Sequence, residues 1–142
     1  MSSENRYRGA RIACLLMAAA LFGMGCSKGV KFRPTALARG GVGTIKVELT
    51  YDRNNRLEVK LSNVPDPSAL HPQYTRYVLW VADADHQHAV NTGQLRVDDK
   101  RVARIETLTP RRKYILFVTA EATGDVTAPG TEVIFESPLI DW

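Results

Sequence analysis

The sequence predicts an all-β fold, an antiparallel β-sandwich of about seven short strands. From Thr44 onward, apolar and polar residues alternate with a period of two, and turn-forming residues separate the runs. No helical period lies between these runs, which favours a sandwich. The 142 residues have room for one domain of ordinary size. A composition of 44% hydrophobic and 24% charged residues excludes a collagenous or wholly disordered chain.

The first 25 residues have the layout of a secretory signal peptide. Arg6, Arg8 and Arg11 precede an uncharged apolar run over residues 12–26, which ends in small residues. A helix that spans the hydrocarbon core needs about 20 apolar residues, so this run is marginal as a permanent anchor. The alternative is a short N-terminal membrane helix that stays uncleaved.

The end of this run, Gly25-Cys26-Ser27, resembles the lipobox of bacterial lipoproteins. In that family a lipoprotein signal peptidase cuts before a cysteine whose thiol already carries fatty acyl chains such as palmitate. The resemblance implies lipidation of Cys26. The family usually has Leu three residues before the cysteine, where this chain has Gly23. Gly23-Met24-Gly25 also fits the small-x-small pattern of the ordinary signal peptidase, which would leave a soluble protein with a free thiol.

Lipidation would hold the mature chain on a membrane, because two or more acyl chains anchor firmly. The domain would face the periplasm or the cell exterior. In a cell with two membranes the outer one is favoured, since Ser27 stands where Asp usually marks retention at the inner membrane. Removal of residues 1–25 leaves 16 basic and 14 acidic residues. This balance does not favour nucleic-acid binding, and export removes nucleic acid as a partner.

Residues 26–43 have the composition of a lipidated, basic and flexible tether. This segment contains four basic residues, a proline, several glycines and no acid. As a flexible coil of about 16 residues it would place the domain roughly 20–25 Å from the anchor. Its charges would either be drawn to anionic headgroups, at about 1 kcal/mol each, or only keep a soluble spacer extended. The two cysteines, Cys14 and Cys26, both precede the domain, so no disulfide framework is available to it.

The domain predicted over residues 44–142 has an immunoglobulin-like arrangement of seven runs. Asp52 to Arg56 has turn chemistry, so the first two runs form a hairpin. Tyr51 is expected to continue the apolar face of the first run. The runs cover residues 44–51, 57–62, 74–82, 88–97, 102–108, 114–120 and 131–136.

The third and sixth runs are apolar on both faces. Val78 and Trp80 alternate with Tyr77, Leu79 and Val81, so these side chains cannot all face one core. One interpretation is that the second face is covered within the chain. The other is a docking surface for an envelope protein, because an exposed apolar patch usually marks an interaction site. The residues assigned to that surface are Tyr77, Val78 and Trp80.

Four short segments follow one another along the sequence in this order: Tyr77-Val78-Leu79-Trp80-Val81, Asn91-Thr92-Gly93-Gln94-Leu95, Phe117-Val118-Thr119-Ala120-Glu121 and Ala128-Pro129-Gly130. Together they resemble the extracytoplasmic C-terminal domain of anti-sigma factors of the regulator-of-sigma-K type. That domain has an aromatic-x-Leu-Trp strand, a Gly turn and a Thr-x-Glu strand leading to a Pro-Gly turn. The resemblance covers roughly residues 44–135 and implies a β-sandwich outside the cytoplasmic membrane. The 11 residues before Ile12 cannot form the cytoplasmic sigma-binding segment of that family, so sigma-factor sequestration is not carried over.

Asp83, Asp85, His86 and His88 are the best candidates for a metal site, because carboxylates and imidazoles bind zinc and other divalent ions. On an extended chain the two histidines would face the same side. A structural zinc site needs four ligands, however, and His71 is the only other histidine. A polar hairpin turn explains these four residues equally well.

No pattern in the sequence favours catalysis. The serines of the domain lie in no nucleophile elbow, and no phosphate loop or dinucleotide fingerprint occurs, so no cofactor is expected. The sequence therefore predicts a membrane-anchored lipoprotein with a non-enzymatic interaction or structural module in the cell envelope. The alternative is a sandwich that binds a small ligand or a divalent metal through the loop from Asp83 to His88.

Overall fold

Nine strands build the domain in the computed structural model, which describes residues 27–142. All seven predicted runs form strands, and the all-β, antiparallel fold class is confirmed. The predicted signal peptide and Cys26 lie outside the described residues. A short 3-10 helix, Ala36–Ala38, and a four-residue helix α1, Pro67–Leu70, complete the described elements. The strands are β1 Ser27–Pro34, β2 Val42–Leu49, β3 Asn55–Ser62, β4 Arg76–Ala82, β5 Val90–Leu95, β6 Val102–Thr109, β7 Lys113–Glu121, β8 Val133–Glu136 and β9 Ile140–Asp141.

The strands form two antiparallel sheets that face each other. The first sheet has the order β1-β2-β3-β6, and the second has the order β5-β4-β7-β8, with β9 paired to β7. Without β1 and β9, seven strands remain in an immunoglobulin-like arrangement, in which β4 and β7 are the central strands of the second sheet. β1 joins the sheets, because Arg33 and Pro34 leave the β2 ladder and pair with β8. On the opposite side the Thr107 hydroxyl donates to the Thr92 carbonyl at 3.3 Å, which brings β6 beside β5 and nearly closes a barrel.

The prediction of a flexible tether is wrong for the described part of that segment. β1 pairs with β2 from Ser27 to Phe32, and Phe32 is only 2% exposed. Val30 and Phe32 point inward while Lys31 and Arg33 point outward, so these two basic residues occupy the solvent side of the strand. Gly43 lies opposite Phe32, and a Cβ there would come within 2.6 Å of the Phe32 Cβ. A glycine that looked like linker composition therefore lets β1 approach β2 closely.

The main core lies between the two sheets and explains the alternation in the sequence. Inward side chains of the first sheet, such as Ile45 and Leu57, meet inward side chains of β4 and β7, such as Leu79 and Leu116. Tyr51 departs from the predicted pattern. It lies in the turn after β2 and is fully exposed, because the chain leaves the sheet after Leu49.

Several turns and both ends of the described chain lie at one end of the sandwich, which we call the Ser27 end. It contains the start of β1, the β2–β3 turn (residues 50–54), the β4–β5 loop (83–89), the β6–β7 turn (110–112) and the C-terminus. The β5–β6 turn (98–101) lies at the opposite end, because every ladder is antiparallel.

Candidate functional site

The docking surface predicted from Tyr77, Val78 and Trp80 is not a surface. All three side chains have no exposed area, so that prediction is wrong. Tyr77 points into the main core, where its hydroxyl donates to the Pro65 carbonyl at 3.0 Å. Val78 and Trp80 lie on the outer face of the second sheet, in a separate apolar cluster with Phe117. The alternative interpretation, that the chain covers this face itself, is the correct one.

Two loops provide this cover. Ala89 comes from the β4–β5 loop and Val126 from the β7–β8 loop (122–132), and both pack on the outer cluster. The Asn91 side-chain amide donates to the carbonyls of Gly124 at 3.0 Å and Val126 at 2.9 Å, which fastens the β7–β8 loop across the sheet. Each loop supplies only isolated apolar side chains, so neither has the sequence pattern of a covering element.

A chain of hydrogen bonds runs through this covered face. The Trp80 indole Nε1–H donates to the Thr119 hydroxyl at 2.8 Å, and that hydroxyl donates to Glu121 Oε1 at 2.5 Å. The backbone N–H of Gly130 donates to the same carboxylate oxygen at 2.7 Å. Glu121 is 7% exposed, and a buried charge of this kind requires such partners. The segments selected from the sequence thus supply every member of the chain, and its role is to tie the β7–β8 loop to the sheet.

The loop from Asp83 to His88 is held by ion pairs and hydrogen bonds within the chain. Arg111 Nη1 binds Asp83 Oδ1 at 3.0 Å, and Arg111 Nη2 donates to the His88 carbonyl at 2.7 Å. His88 Nδ1 lies 2.7 Å from the other oxygen of Asp83. Asp85 accepts from the backbone N–H of Gln87 at 3.2 Å, so it shapes the same turn.

The two histidines of this loop do not point to a common centre. His86 Nε2 lies 3.3 Å from Glu136 Oε2, and its ring packs against Phe117 with centroids 5.2 Å apart. Both His86 and His88 have positive φ angles, 64° and 51°, so the extended geometry that would align them is absent. Across residues 27–142, no three His, Cys, Asp or Glu side chains are grouped so that they could hold a metal ion. The Arg111 guanidinium pairs with the Asp83 carboxylate and with the His88 carbonyl, so these residues hold the β4–β5 loop closed.

The outer face of the first sheet has the opposite character. Its ladder registers align Lys31, Thr44, Lys60 and Arg104 in one row across four strands. All four are exposed, and the three cations of this row form no ion pair within the described part of the chain.

The next row on this face carries both signs of charge. Gly29, Lys46, Glu58 and Glu106 align across the same four strands. Lys46 Nζ lies 2.7 Å from Glu48 and 3.8 Å from Glu58. Because glycine adds no side chain, an open groove of about 640 Å³ lies along the two rows, beside Gly29.

This open face could have been found from the sequence only if β1 had been recognised as a strand. Residues 44–62 already show the outward charges of β2 and β3 in their alternation. The composition around Gly29 and Lys31 predicts a tether, however, so the predicted sheet lacks β1. Arg111 was also missed, because nothing in the turn Thr109-Pro110-Arg111 indicates that its guanidinium reaches Asp83.

No family model matches this chain, and no curated protein or solved structure matches it either. The resemblance to the anti-sigma domain therefore stays a prediction. Among residues 27–142, no helix is long and apolar enough to cross a membrane.

Proposed function

We propose that this chain is an exported lipoprotein, anchored to a membrane through acyl chains on Cys26, and that its β-sandwich is a non-enzymatic interaction module in the cell envelope. The basic start, the apolar run and Gly25-Cys26 support export and lipidation. In a cell with two membranes, Ser27 favours the outer one.

The observation that carries this proposal is the position of Cys26 immediately before a folded strand. β1 begins at Ser27 and is paired with β2 from its first residue. One residue of extended chain spans at most about 3.6 Å, so a lipid on Cys26 would hold the sandwich directly at the bilayer. A lone cysteine at this point has no other evident role, because the described domain contains no cysteine with which it could pair.

The open face of the first sheet is the surface we assign to a protein partner. The other sheet is buried on both sides by the chain itself, whereas this face exposes Lys31, Lys60 and Arg104 in one row. Such a row favours a partner with acidic side chains, because complementary charge steers association. The side chains of the Asp83–His88 loop are engaged in closing it, and we do not assign ligand binding to that loop.

Lipidation is tested by measuring the mass of the mature chain purified from membranes. We expect cleavage before Cys26 and acyl mass on that residue. Cys26→Ala should abolish the acyl mass and block cleavage by the lipoprotein signal peptidase, whereas Cys14→Ala should change neither. An unmodified Cys26 thiol on a soluble mature chain would refute the anchor.

The partner surface is tested by crosslinking in cells that express the full chain. Lys60→Glu combined with Arg104→Glu should remove a crosslinked envelope partner, because it reverses two charges of the row. Lys100→Glu in the β5–β6 turn is the matched control, and it should leave the crosslink intact. Equal crosslinking by the parent chain, the double variant and the control would show that the partner binds elsewhere.

A further inference from the structure

Exposed apolar side chains are unevenly distributed over the sandwich. Seven large ones are exposed among the described residues, and only Leu37 and Val42 lie at the end opposite Ser27. The other five lie at or next to the Ser27 end, and they are Leu49 (43%), Tyr51 (106%), Val90 (52%), Leu108 (54%) and Leu139 (44%). Single exposed apolar residues are common on proteins, but several exposed apolar side chains at one end indicate an interaction surface there.

The strand register places the tip of the β2–β3 turn beyond the start of β1. Ser27 pairs with Glu48, so Leu49, Thr50 and Tyr51 continue past it in the direction from which the chain enters the domain. No described residue shields the side chain of Tyr51 from solvent. A tyrosine that extends past the entry point of an anchored chain would reach the headgroup level, where amphipathic aromatic rings are favoured.

Three exposed cations lie at the same end of the sandwich as this tip. Lys28, Arg53 and Arg112 lie at the same end, and none of them forms an ion pair with another described residue. The Asp52 carboxylate in this turn accepts hydrogen bonds from Thr50 and Asn54, which lower its pKa, so it stays charged next to Arg53 in the sequence. Cations next to exposed apolar side chains suit the surface of a bilayer with anionic headgroups.

Two other acids near this end are paired with cations of the chain itself. Asp83 is bound by Arg111, and the carboxylate of Asp141 lies 3.8 Å from Lys113 Nζ. Lys28, Arg53 and Arg112 therefore remain exposed, with no acidic partner among the described residues.

We propose that the Ser27 end rests on the surface of the membrane, with Tyr51 at the headgroup level and Arg53 and Arg112 on anionic lipid headgroups. This proposal rests on the proposed function, because it takes the membrane to be the one that holds the lipid on Cys26. The short connection between Cys26 and Ser27 supports it, since a domain held by one residue cannot move far from the bilayer. In consequence the strands run roughly perpendicular to the membrane, which we call the upright placement. The row of Lys31, Lys60 and Arg104 then lies on the side of the sandwich, where a partner can reach it.

The test uses the full chain, purified from membranes and reconstituted into vesicles of phosphatidylethanolamine and phosphatidylglycerol. A tryptophan reporter is introduced by Tyr51→Trp, and Lys100→Trp in the turn at the opposite end is the matched control. Emission is compared between ordinary vesicles and vesicles whose acyl chains carry bromine near the headgroup. Bromine quenches only a tryptophan that contacts the bilayer, and subtraction of the parent chain removes the signals of Trp80 and Trp142.

We expect the brominated lipid to remove most of the emission added by Tyr51→Trp and none of that added by Lys100→Trp. Adding Arg53→Glu and Arg112→Glu to the Tyr51→Trp chain should reduce the quenching. If the chain carries acyl mass on Cys26 and floats with the vesicles but both reporters stay unquenched, the upright placement is wrong and the lipoprotein proposal stands. If the chain has no acyl mass and does not float, both proposals fail.

Discussion

The two sheets of this domain differ in how they treat their outer faces. The second sheet has an apolar outer face with Trp80 at its centre, and two loops close it from solvent. The first sheet has a charged outer face, and no loop within residues 27–142 crosses the row of Lys31, Lys60 and Arg104. The difference shows that the outer apolar faces of β4 and β7, the most apolar strands in the sequence, form a second core in this protein. A surface available for binding lies on the sheet whose strands alternate most regularly.

The largest effect is expected from the covered face. Trp80→Ala should lower the free energy of unfolding by about 3–5 kcal/mol, because it leaves a cavity and removes the indole donor to Thr119. Lys60→Ala on the open face should leave it within about 0.5 kcal/mol. Urea unfolding of both chains measures the difference. A loss below about 1 kcal/mol for Trp80→Ala would mean that the loops do not close this face.

The next effect concerns buried tyrosines and alkaline pH. Burial, and to a smaller extent the charge of Asp66, raises the pKa of Tyr77. Burial raises the pKa of Tyr114 to about 12, with a partial offset from Asn55. The unfolded chain therefore ionises these phenols first, so their contribution is intact below about pH 10 and is lost as the pH rises toward 12. Tyr114 alone should account for up to about 3 kcal/mol, since each pKa unit corresponds to about 1.4 kcal/mol.

Urea unfolding at pH 8 and pH 11.5 measures this loss. Tyr114→Phe should reduce the difference between the two pH values, whereas Tyr51→Phe in the exposed turn should not. The Tyr114 hydroxyl lies beside Asn55 but forms no hydrogen bond of ordinary geometry among the described residues, so its removal should cost little at pH 8. Equal alkaline losses in the two variants would contradict the assignment to buried tyrosines.

Much of this fold could be predicted from the sequence, because strands with one buried face alternate with a period of two. The hairpin of β2 and β3 was predicted on that basis. The central strands β4 and β7 were predicted instead as short continuous apolar runs bounded by turn residues. β1 was missed because its composition resembles a linker, although Val30-Lys31-Phe32-Arg33 also alternates. β9 has two residues and is too short to produce a pattern.

The site was harder to predict than the fold, because its contacts join residues that are distant in the chain. Trp80, Thr119, Glu121 and Gly130 were selected as parts of motifs, but only the folded chain shows that hydrogen bonds connect them. The cover of Trp80 depends on Asn91, which holds a loop that lies far along the chain from it. Period and composition carry no information about such a contact.

A smaller effect separates a buried carboxylate from an exposed one. Glu121→Ala should cost about 2 kcal/mol, because it leaves the Thr119 hydroxyl and the Gly130 N–H without their acceptor. Glu121→Gln keeps an oxygen acceptor and should cost less, and Glu58→Ala on the open face should have no measurable effect on unfolding. Amide exchange at Gly130 should become faster in Glu121→Ala. An unchanged exchange rate would show that the carboxylate does not hold the loop.

The smallest effect compares two glycines of the β1–β2 ladder. Gly43→Ala should cost about 1 kcal/mol or slightly more, because its Cβ would lie 2.7 Å from the Phe32 carbonyl oxygen, which is backbone and cannot rotate away. Gly29→Ala should be neutral or slightly stabilising, since no atom of the described residues lies within 4 Å of the added Cβ. Thermal unfolding measures both. Equal effects would mean that β1 is not packed on the domain, and they would support the prediction of a flexible tether.

The strand that joins the two sheets also decides how the domain responds to mechanical force. A pull on the chain ahead of Ser27, directed away from the domain, acts along the axis of β1. Its ladder with β2 extends over six residue pairs, from Ser27 to Phe32, and these pairs would be loaded in shear. The hydrogen bonds would share the load and would have to break nearly together, whereas a peeled strand loses them one at a time. A force between the chain ahead of Ser27 and the far end of the sandwich would therefore be resisted by all six pairs together.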